Sequence, residues 1–335
     1  MYWSTGALCL MHSESNQSAD LQVFDLLSSG SLVQRIASRH SEVATFRVRT
    51  PQGSSLVAVK HLRVEGQRAT DSLRSEFLTL RELQRVLGES LRRTVPRPLL
   101  LLENERTIFL SFVPGIPLDV ILRRDANVLT SWLNIAGRRR LEGSALHIGE
   151  WLNTFHGATA SGDQTFDHER FSVELDSLMA KCEPLGFSLS ALASIRAVAL
   201  NLSATSSGSP VSEAAMHGDF LPQNVLLDHG RLSIVDFASY SPSGPVYTDV
   251  AHFIGYLMIL AGKQLYSRSA VESVARQFLS GYSRALDQNL LRLYTVRAVL
   301  RIIADGNRQL SRSTKITLDL LSNILNKGIT GLVTA

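Results

Sequence analysis

The step Pro114-Gly115-Ile116-Pro117 divides this chain more firmly than any other, because two prolines in four residues can continue neither a helix nor a central strand. The patterning differs on its two sides. Before it, Val43 to Arg49 alternates and is β-branched, Pro51 to Ser55 has turn composition, and Leu56 to Leu62 is a compact apolar run, which together predict a β-hairpin. A helix opening at Asp71 follows, with Leu73, Phe77, Leu80, Leu83 and Leu87 at spacings of three and four and Gly88 after the last. Pro96 to Leu102 and Thr107 to Val113 predict a second strand pair around the charged turn Glu103 to Arg106. Beyond Pro117 helical spacing dominates, near Leu118 to Arg124, Leu141 to His156, Val173 to Lys181 and Leu189 to Leu202. Ser203 to Ser212 reads as a loop; Ala214 to Met216, Asn224 to Asp228 and Arg231 to Asp236 read as short strands, and helices resume from Asp249. The expected plan is α+β and two-lobed. Residues 1–20 are expected to form a flexible, Ser-rich tail, 21–115 a strand-rich N-terminal lobe, and 116–335 a mainly helical C-terminal lobe.

Composition agrees with two packed lobes and removes other classes. Of 335 residues 44% are hydrophobic and 19% charged, which supplies cores and excludes wholesale disorder. The longest apolar run, Val250 to Gly262, falls short of the roughly 20 residues that span a bilayer, so it reads as a buried helix and no membrane span is expected. Met1 to Met11 lacks a basic start and a long apolar stretch, so no secretion signal is expected. Cys9 and Cys182 make neither a disulfide framework nor a zinc spacing, which fits a reducing, cytoplasmic setting.

Chemistry concentrates between Met216 and Asp236. In Met216-His217-Gly218-Asp219-Phe220-Leu221-Pro222-Gln223-Asn224 a carboxylate and a carboxamide stand five apart, and Ile234-Val235-Asp236-Phe237 adds a carboxylate at the end of an apolar strand. Phosphoryl transfer needs these parts: a carboxylate to orient and deprotonate an acceptor hydroxyl, and hard oxygens to hold Mg²⁺ against the phosphates. Asp219 suits the first task, Asn224 and Asp236 the second.

With Gly244-Pro245 and Asp249-Val250-Ala251 downstream, this segment resembles the signature of the aminoglycoside phosphotransferase and choline kinase group of the protein-kinase-like superfamily. Gly218 stands where eukaryotic protein kinases carry Arg, and Ala238 follows Phe237, so there is no Asp-Phe-Gly. The resemblance implies a bilobal protein-kinase-like fold with a nucleotide, ATP or GTP, in the cleft between lobes, and a small-molecule hydroxyl acceptor. Val57-Ala58-Val59-Lys60 matches the strand whose lysine reaches the α- and β-phosphates. Glu76 shares the Leu73 and Leu80 side of the following helix and is the expected partner of Lys60, whereas Glu82 points away. Ser111 and Val113 fall where backbone groups would pair with adenine. The phosphate-covering turn, Ser38 to Ala44, has no glycine, and Ser41 is expected to supply hydroxyl and amide donors there. His217 is read as a brace of the loop, and Asp249 as an acceptor of its backbone N–H groups.

Other features have plainer readings. Arg138-Arg139-Arg140 reads as a solvated helix start; His147, Trp151, Leu152 and Phe155 as core; His156 as a complement to its helix dipole. Residues 251–335 hold 11 Lys/Arg against 4 Asp/Glu, a field unsuited to a polycation, so a neutral or anionic acceptor is expected. Asp163, Asp167, Glu169, Glu174 and Asp176 could build an acidic wall that reverses this. A kinase acting on protein side chains would need an open peptide groove, and a non-catalytic pseudokinase would be free to lose any of Lys60, Asp219, Asn224 and Asp236. No nucleic-acid partner is expected.

Overall fold

The structure is a computed structural model and describes residues 30–37, 41–50, 53–64, 66–129, 134–305 and 314–327. The expected tail, 1–20, lies outside them. The chain forms two compact units, Met1–Pro114 and Gly115–Ala335.

The first unit is built on an antiparallel sheet of β1 (Ser31–Ala37), β2 (Ser41–Thr50), β3 (Gly53–Leu62), β4 (Pro98–Leu102) and β5 (Thr107–Ser111), in the order β1-β2-β3-β5-β4. Strand β1 has all seven residues exposed, so it lacks the alternation that marks a half-buried strand, and its sequence gives no such signal. The expected turn Ser38 to Ala44 shortens, because β2 already begins at Ser41, paired with Leu62; residues 38–40 lie outside the described set. Alternation puts Val57 and Val59 on one face, where they pack with Val48, Leu100 and Phe109, and Lys60 on the other. Helix α1 (Gln67–Val86) buries Leu73, Leu80 and Leu83 and packs against β4 and β5. It starts four residues before Asp71, whose carboxylate instead accepts from Gln67 Nε2 at 2.9 Å within the first turn. A short α2 (Glu89–Arg92) leads into β4.

The second unit opens with β6 (Ile116–Pro117), α3 (Leu118–Asp125) and α4 (Ile135–Ala158), the last capped by Asn134 Oδ1, which accepts from Gly137 N–H. Next come β7 (Ala160–Thr165), α5 (His168–Cys182), α6 (Leu189–Thr205), β8 (Pro210–Met216), β9 (Val225–Asp228), β10 (Arg231–Ile234) and β11 (Ser241–Pro245). The chain then runs through α7 (Tyr247–Ala261), α8 (Arg268–Gly281), α9 (Gln288–Ala304) and α10 (Thr314–Lys327). Two small antiparallel sheets, β10-β9-β6 and β11-β8-β7, flank the candidate segment from His217 to Asn224. Ser203 to Ser212 is not one loop: α6 continues to Thr205 while its Ser and Thr hydroxyls donate to carbonyls three or four residues back, and Pro210–Ser212 already pair with β7.

Helix α7 is buried on almost every face, as the apolar run implies. Helices α4 and α8 approach closely because Gly149 and Gly281 face each other's backbones: a Cβ on either would stand 2.0 Å from a carbonyl oxygen of the other helix. Trp151, Leu152 and Phe155 are core, but His147 is exposed; its place in the apolar spacing falls on the outer edge of the stripe. Among the described residues no helix is long and apolar enough to cross a membrane.

Candidate active site

The loop joining β8 to β9 is anchored at its apolar positions. Phe220 is fully buried and lies 5.9 Å from Trp151 and 5.8 Å from Phe253, ring centre to centre, while the His217 ring packs at 4.6 Å on Phe237. Between these anchors Leu221 N–H donates to Asp219 O (2.8 Å) and Asn224 N–H to Leu221 O (2.9 Å), closing two tight turns. Asn224 Nδ2 donates to both Asp219 O (2.8 Å) and Asp219 Oδ2 (3.0 Å). These two acceptors fix the amide orientation and turn Oδ1 away from Asp219. The β9–β10 hairpin brings Asp236 to the same end: Val225 pairs with Ile234, and Val235 N–H donates to Asn224 O at 3.0 Å. The twelve-residue spacing of Asn224 and Asp236 is therefore the register of one hairpin.

Gly218 has no tolerated substitute by shape. Its φ is +78°, and a Cβ would lie 1.9 Å from Ser239 O. Asp236 also has left-handed backbone, φ 67°, which is costly for a non-glycine residue and recurs at functional positions. Burial pushes the Asp219 carboxyl above the usual carboxylate range and the Asp236 charge adds to this, while His217, the Asn224 hydrogen bond and Arg301 oppose it. Like charges facing one another beside a carboxamide oxygen are a fitting donor set for a hard cation that keeps waters and phosphate oxygens as its other ligands. Among the described residues no group of three or more His, Cys, Asp or Glu is arranged to hold a metal, so an all-protein cage is not what this site offers.

The loop rests on Asp249, whose carboxylate accepts from His217 N–H (2.7 Å) and Gly218 N–H (2.9 Å). His156 Nε2 lies 3.3 Å from the same carboxylate and its Nδ1 2.9 Å from Tyr282 Oη, all of it fully buried. Burial works against the Asp249 charge, but the His156 hydrogen bond and the nearby imidazoles outweigh it and hold the pKa low. His156 is thus a partner of Asp249 rather than a simple complement to its helix dipole, a link across 93 residues that no local pattern announces. His217 Nε2 donates to Val235 O (3.0 Å) and its Nδ1 accepts from Asp219 N–H (3.3 Å), so both ring nitrogens are committed to backbone.

In the first unit Lys60 Nζ meets Glu76 Oε2 at 2.8 Å, with both side chains largely shielded from solvent. Glu82 instead lies on the outer face beside Arg85. Ser41 stands in the β2 ladder, not in a turn. Ser111 ends β5, where its N–H donates to Arg97 O and its hydroxyl accepts from Arg97 N–H, each at 2.8 Å; Val113 follows two residues beyond. A feature without sequence warning is Glu42, buried at the start of β2 between Arg35 and Arg63, the latter at 2.8 Å.

A cavity of about 780 Å³ opens in the second unit. Met216, which precedes the loop, and Thr248, which precedes Asp249, form part of its wall, with Phe166, Phe171 and Tyr294 as an aromatic side. Its charged lining is Arg170, Arg297 and Arg301 with Asp167 and Glu174.

With this geometry in view, the likeness to known proteins is informative. A sequence profile described as the phosphotransferase enzyme family matches residues 33–294. No curated protein matches the chain in sequence. Among solved structures, a thermostable mutant of an aminoglycoside phosphotransferase in ternary complex with ADP and hygromycin B is 15% identical with a TM-score of 0.60, covering 93% of this chain and 98% of that one. A glucosamine kinase is 15% identical at 0.54, covering 93% and 98%. A streptomycin–ATP complex of another aminoglycoside phosphotransferase is 13% identical at 0.53, covering 96% and 100%. These three share the fold, the protein-kinase-like one, over nearly the whole length. On the span of the profile match, the chain belongs to the phosphotransferase enzyme family.

Proposed function

We propose that this phosphotransferase moves the γ-phosphate of ATP, or of GTP, to a hydroxyl of a small molecule with Mg²⁺ present. The observation that carries the reading is the Asp219–Asn224–Asp236 constellation, in which a burial-shifted carboxylate is held by a carboxamide beside a second carboxylate. In the reaction, the acceptor oxygen bonds to the γ-phosphorus as the bond to the β–γ bridging oxygen breaks, and ADP leaves. The hydroxyl proton passes to Asp219, which also orients the acceptor. Asn224 Oδ1 and Asp236 would hold Mg²⁺, which when bound neutralises charge along the phosphates. Lys60, positioned by Glu76, would contact the α- and β-phosphates, and Ser41, Ser111 and Val113 would border the nucleotide. His217 and Asp249 keep the loop in place without taking part in proton transfer, since their polar atoms are occupied by backbone and His156.

A small acceptor is favoured over a protein side chain because the cavity beside the loop is of the size that encloses a metabolite-sized molecule. The test is a screen of hydroxyl compounds with Mg·ATP, read by mass spectrometry, comparing wild type with Asp219→Asn. A phosphorylated product from wild type that is lost in the variant supports the reading. Tight nucleotide binding with no product from any compound would favour the pseudokinase alternative, and a phosphorylated protein would favour the protein-kinase one.

A further inference from the structure

The sequence leaves open whether basic helices or an acidic segment govern the acceptor, and the cavity lining resolves where those charges lie. Of the acidic candidates, Asp163, Glu169 and Asp176 are absent from the lining. Asp176 is spent on Arg196, in a two-pronged contact at 2.5 and 2.7 Å. Asp167 lines the cavity, but one of its oxygens caps α5 by accepting Arg170 N–H at 2.9 Å. Glu174 takes two guanidinium groups, Arg297 at 2.7 Å and Arg170 at 3.4 Å. Of the five candidates, Glu174 and Asp176 are therefore paired with arginines, and Asp167 is the one other carboxylate that the cavity lining presents.

The basic side is built rather than incidental. Arg297 is held on three sides, by Glu174, by Thr248 Oγ1 at 2.8 Å and by the Tyr294 ring at 4.6 Å, and its side chain is only 17% exposed. Arg301, one turn further along α9, has a looser contact: its partner among the described residues is Asp305 at 3.6 Å, itself 63% exposed. A guanidinium in such a contact can exchange a solvent-exposed carboxylate for a ligand anion at little cost. Arg301 also shares the cavity wall with Met216, the residue that leads directly into the loop. A polycation entering here would displace water from three guanidinium groups and find two carboxylates, Asp167, which caps α5, and Glu174, already shared by two of those arginines.

We propose that the cavity takes an acceptor bearing a phosphate or carboxylate group, gripped by Arg301 with Arg297 behind it, so that this anion sets the acceptor's place relative to the catalytic loop. The inference rests on the phosphotransferase reading for the word acceptor, but the anion site stands on the cavity alone. The Phe166, Phe171 and Tyr294 side, with rings 5.6 to 6.5 Å apart, suits the body of such a molecule.

The experiment is calorimetric titration of the full chain with ribose 5-phosphate, glucuronate and inorganic phosphate, set against ribose, glucose and kanamycin, with and without saturating Mg·ADP. At least one of the two anionic sugars should bind about tenfold or more tightly than its neutral counterpart and than kanamycin, in both conditions, as expected for a hydrogen-bonded charge pair. Arg301→Gln should reduce that preference to within about threefold, whereas Arg301→Lys, which keeps the charge, should retain more of it. Kanamycin binding tightest, no anion preference, or a preference unmoved by Arg301→Gln would each overturn the proposal. Mg·ATP titration of wild type and Asp236→Ala tests the enzymatic reading separately. If nucleotide fails to bind while the Arg301-dependent preference persists, the cavity assignment stands and the phosphotransferase role fails.

Discussion

Charge is handled in opposite ways in the two units. Lys60 and Glu76 are unlike charges, one cation against one anion 2.8 Å apart. Asp219 and Asp236 are like charges whose mutual repulsion adds to the cost of burial, with Asp236 on strained backbone. A pair of unlike charges positions a side chain. A pair of like charges stores electrostatic free energy that a cation can release, which is why the second unit carries the proposed metal site and the first a positioning device.

The comparison breaks most visibly at Asp236. Removing the charged ligand by Asp236→Ala should lower turnover by about 10³-fold or more and abolish metal-dependent ATP affinity. The thermal midpoint should change little, because the side chain is exposed. Activity within about tenfold of wild type, or roughly 1.4 kcal/mol, would sink the metal assignment. Asp219→Asn keeps the volume and loses the base, so kcat should fall by about 10²-fold with ATP affinity nearly unchanged; an equal loss of ATP affinity would move Asp219 into the nucleotide site.

Gly218→Ala attacks the same loop through shape. The new methyl meets Ser239 O at 1.9 Å, so the loop must shift, and a displacement of about 1 Å can cost up to 10²-fold in kcat. Normal kinetics with an unmoved loop would contradict the close packing. In the first unit Glu76→Ala removes a carboxylate from beside a shielded ammonium; stability should drop by about 3 kcal/mol in denaturant titration, with a raised KM for ATP and a smaller change in kcat. Lost kcat at unchanged KM would instead tie Glu76 to the chemical step.

The smallest effect concerns Glu42. Hydrogen bonds from Arg35 and Arg63 hold its carboxyl down at about 2, against an ordinary 4.5. A depressed carboxylate stabilises the fold above its unfolded pKa, and the contribution disappears as pH falls from 4.5 toward about 2. Acid titration of stability should therefore show a shallower slope in that window for Glu42→Gln than for wild type; equal slopes would show that the cluster makes no net contribution.

The contacts legible in the chain are the local ones. Asp219 and Asn224 meet because five residues close two turns, and Asn224 and Asp236 share an end because one hairpin spans twelve. Lys60 and Glu76 are readable for a related reason: strand alternation and helix periodicity each select a face, and the two elements are consecutive. Strand β1 escapes because it buries nothing, and periodicity reports only burial. The run Ser203 to Ser212 misleads because Ser and Thr hydroxyls that usually favour turns here support the last turn of α6.

What only the tertiary structure decides are pairings between distant residues. Asp249 takes His156 as partner across 93 positions, and Arg297 takes Glu174 across 123. Regional charge counts cannot foresee them: two of the acidic residues that could have formed a wall for a polycation, Glu174 and Asp176, pair with arginines from other helices, while the partner of Arg301 among the described residues is the exposed Asp305. Composition and periodicity determine which faces are buried, because burial acts on each residue alone. The sign of a cavity's field depends on which charges cancel at contact distance, and Coulomb energy depends on that separation in space, not on the separation along the chain.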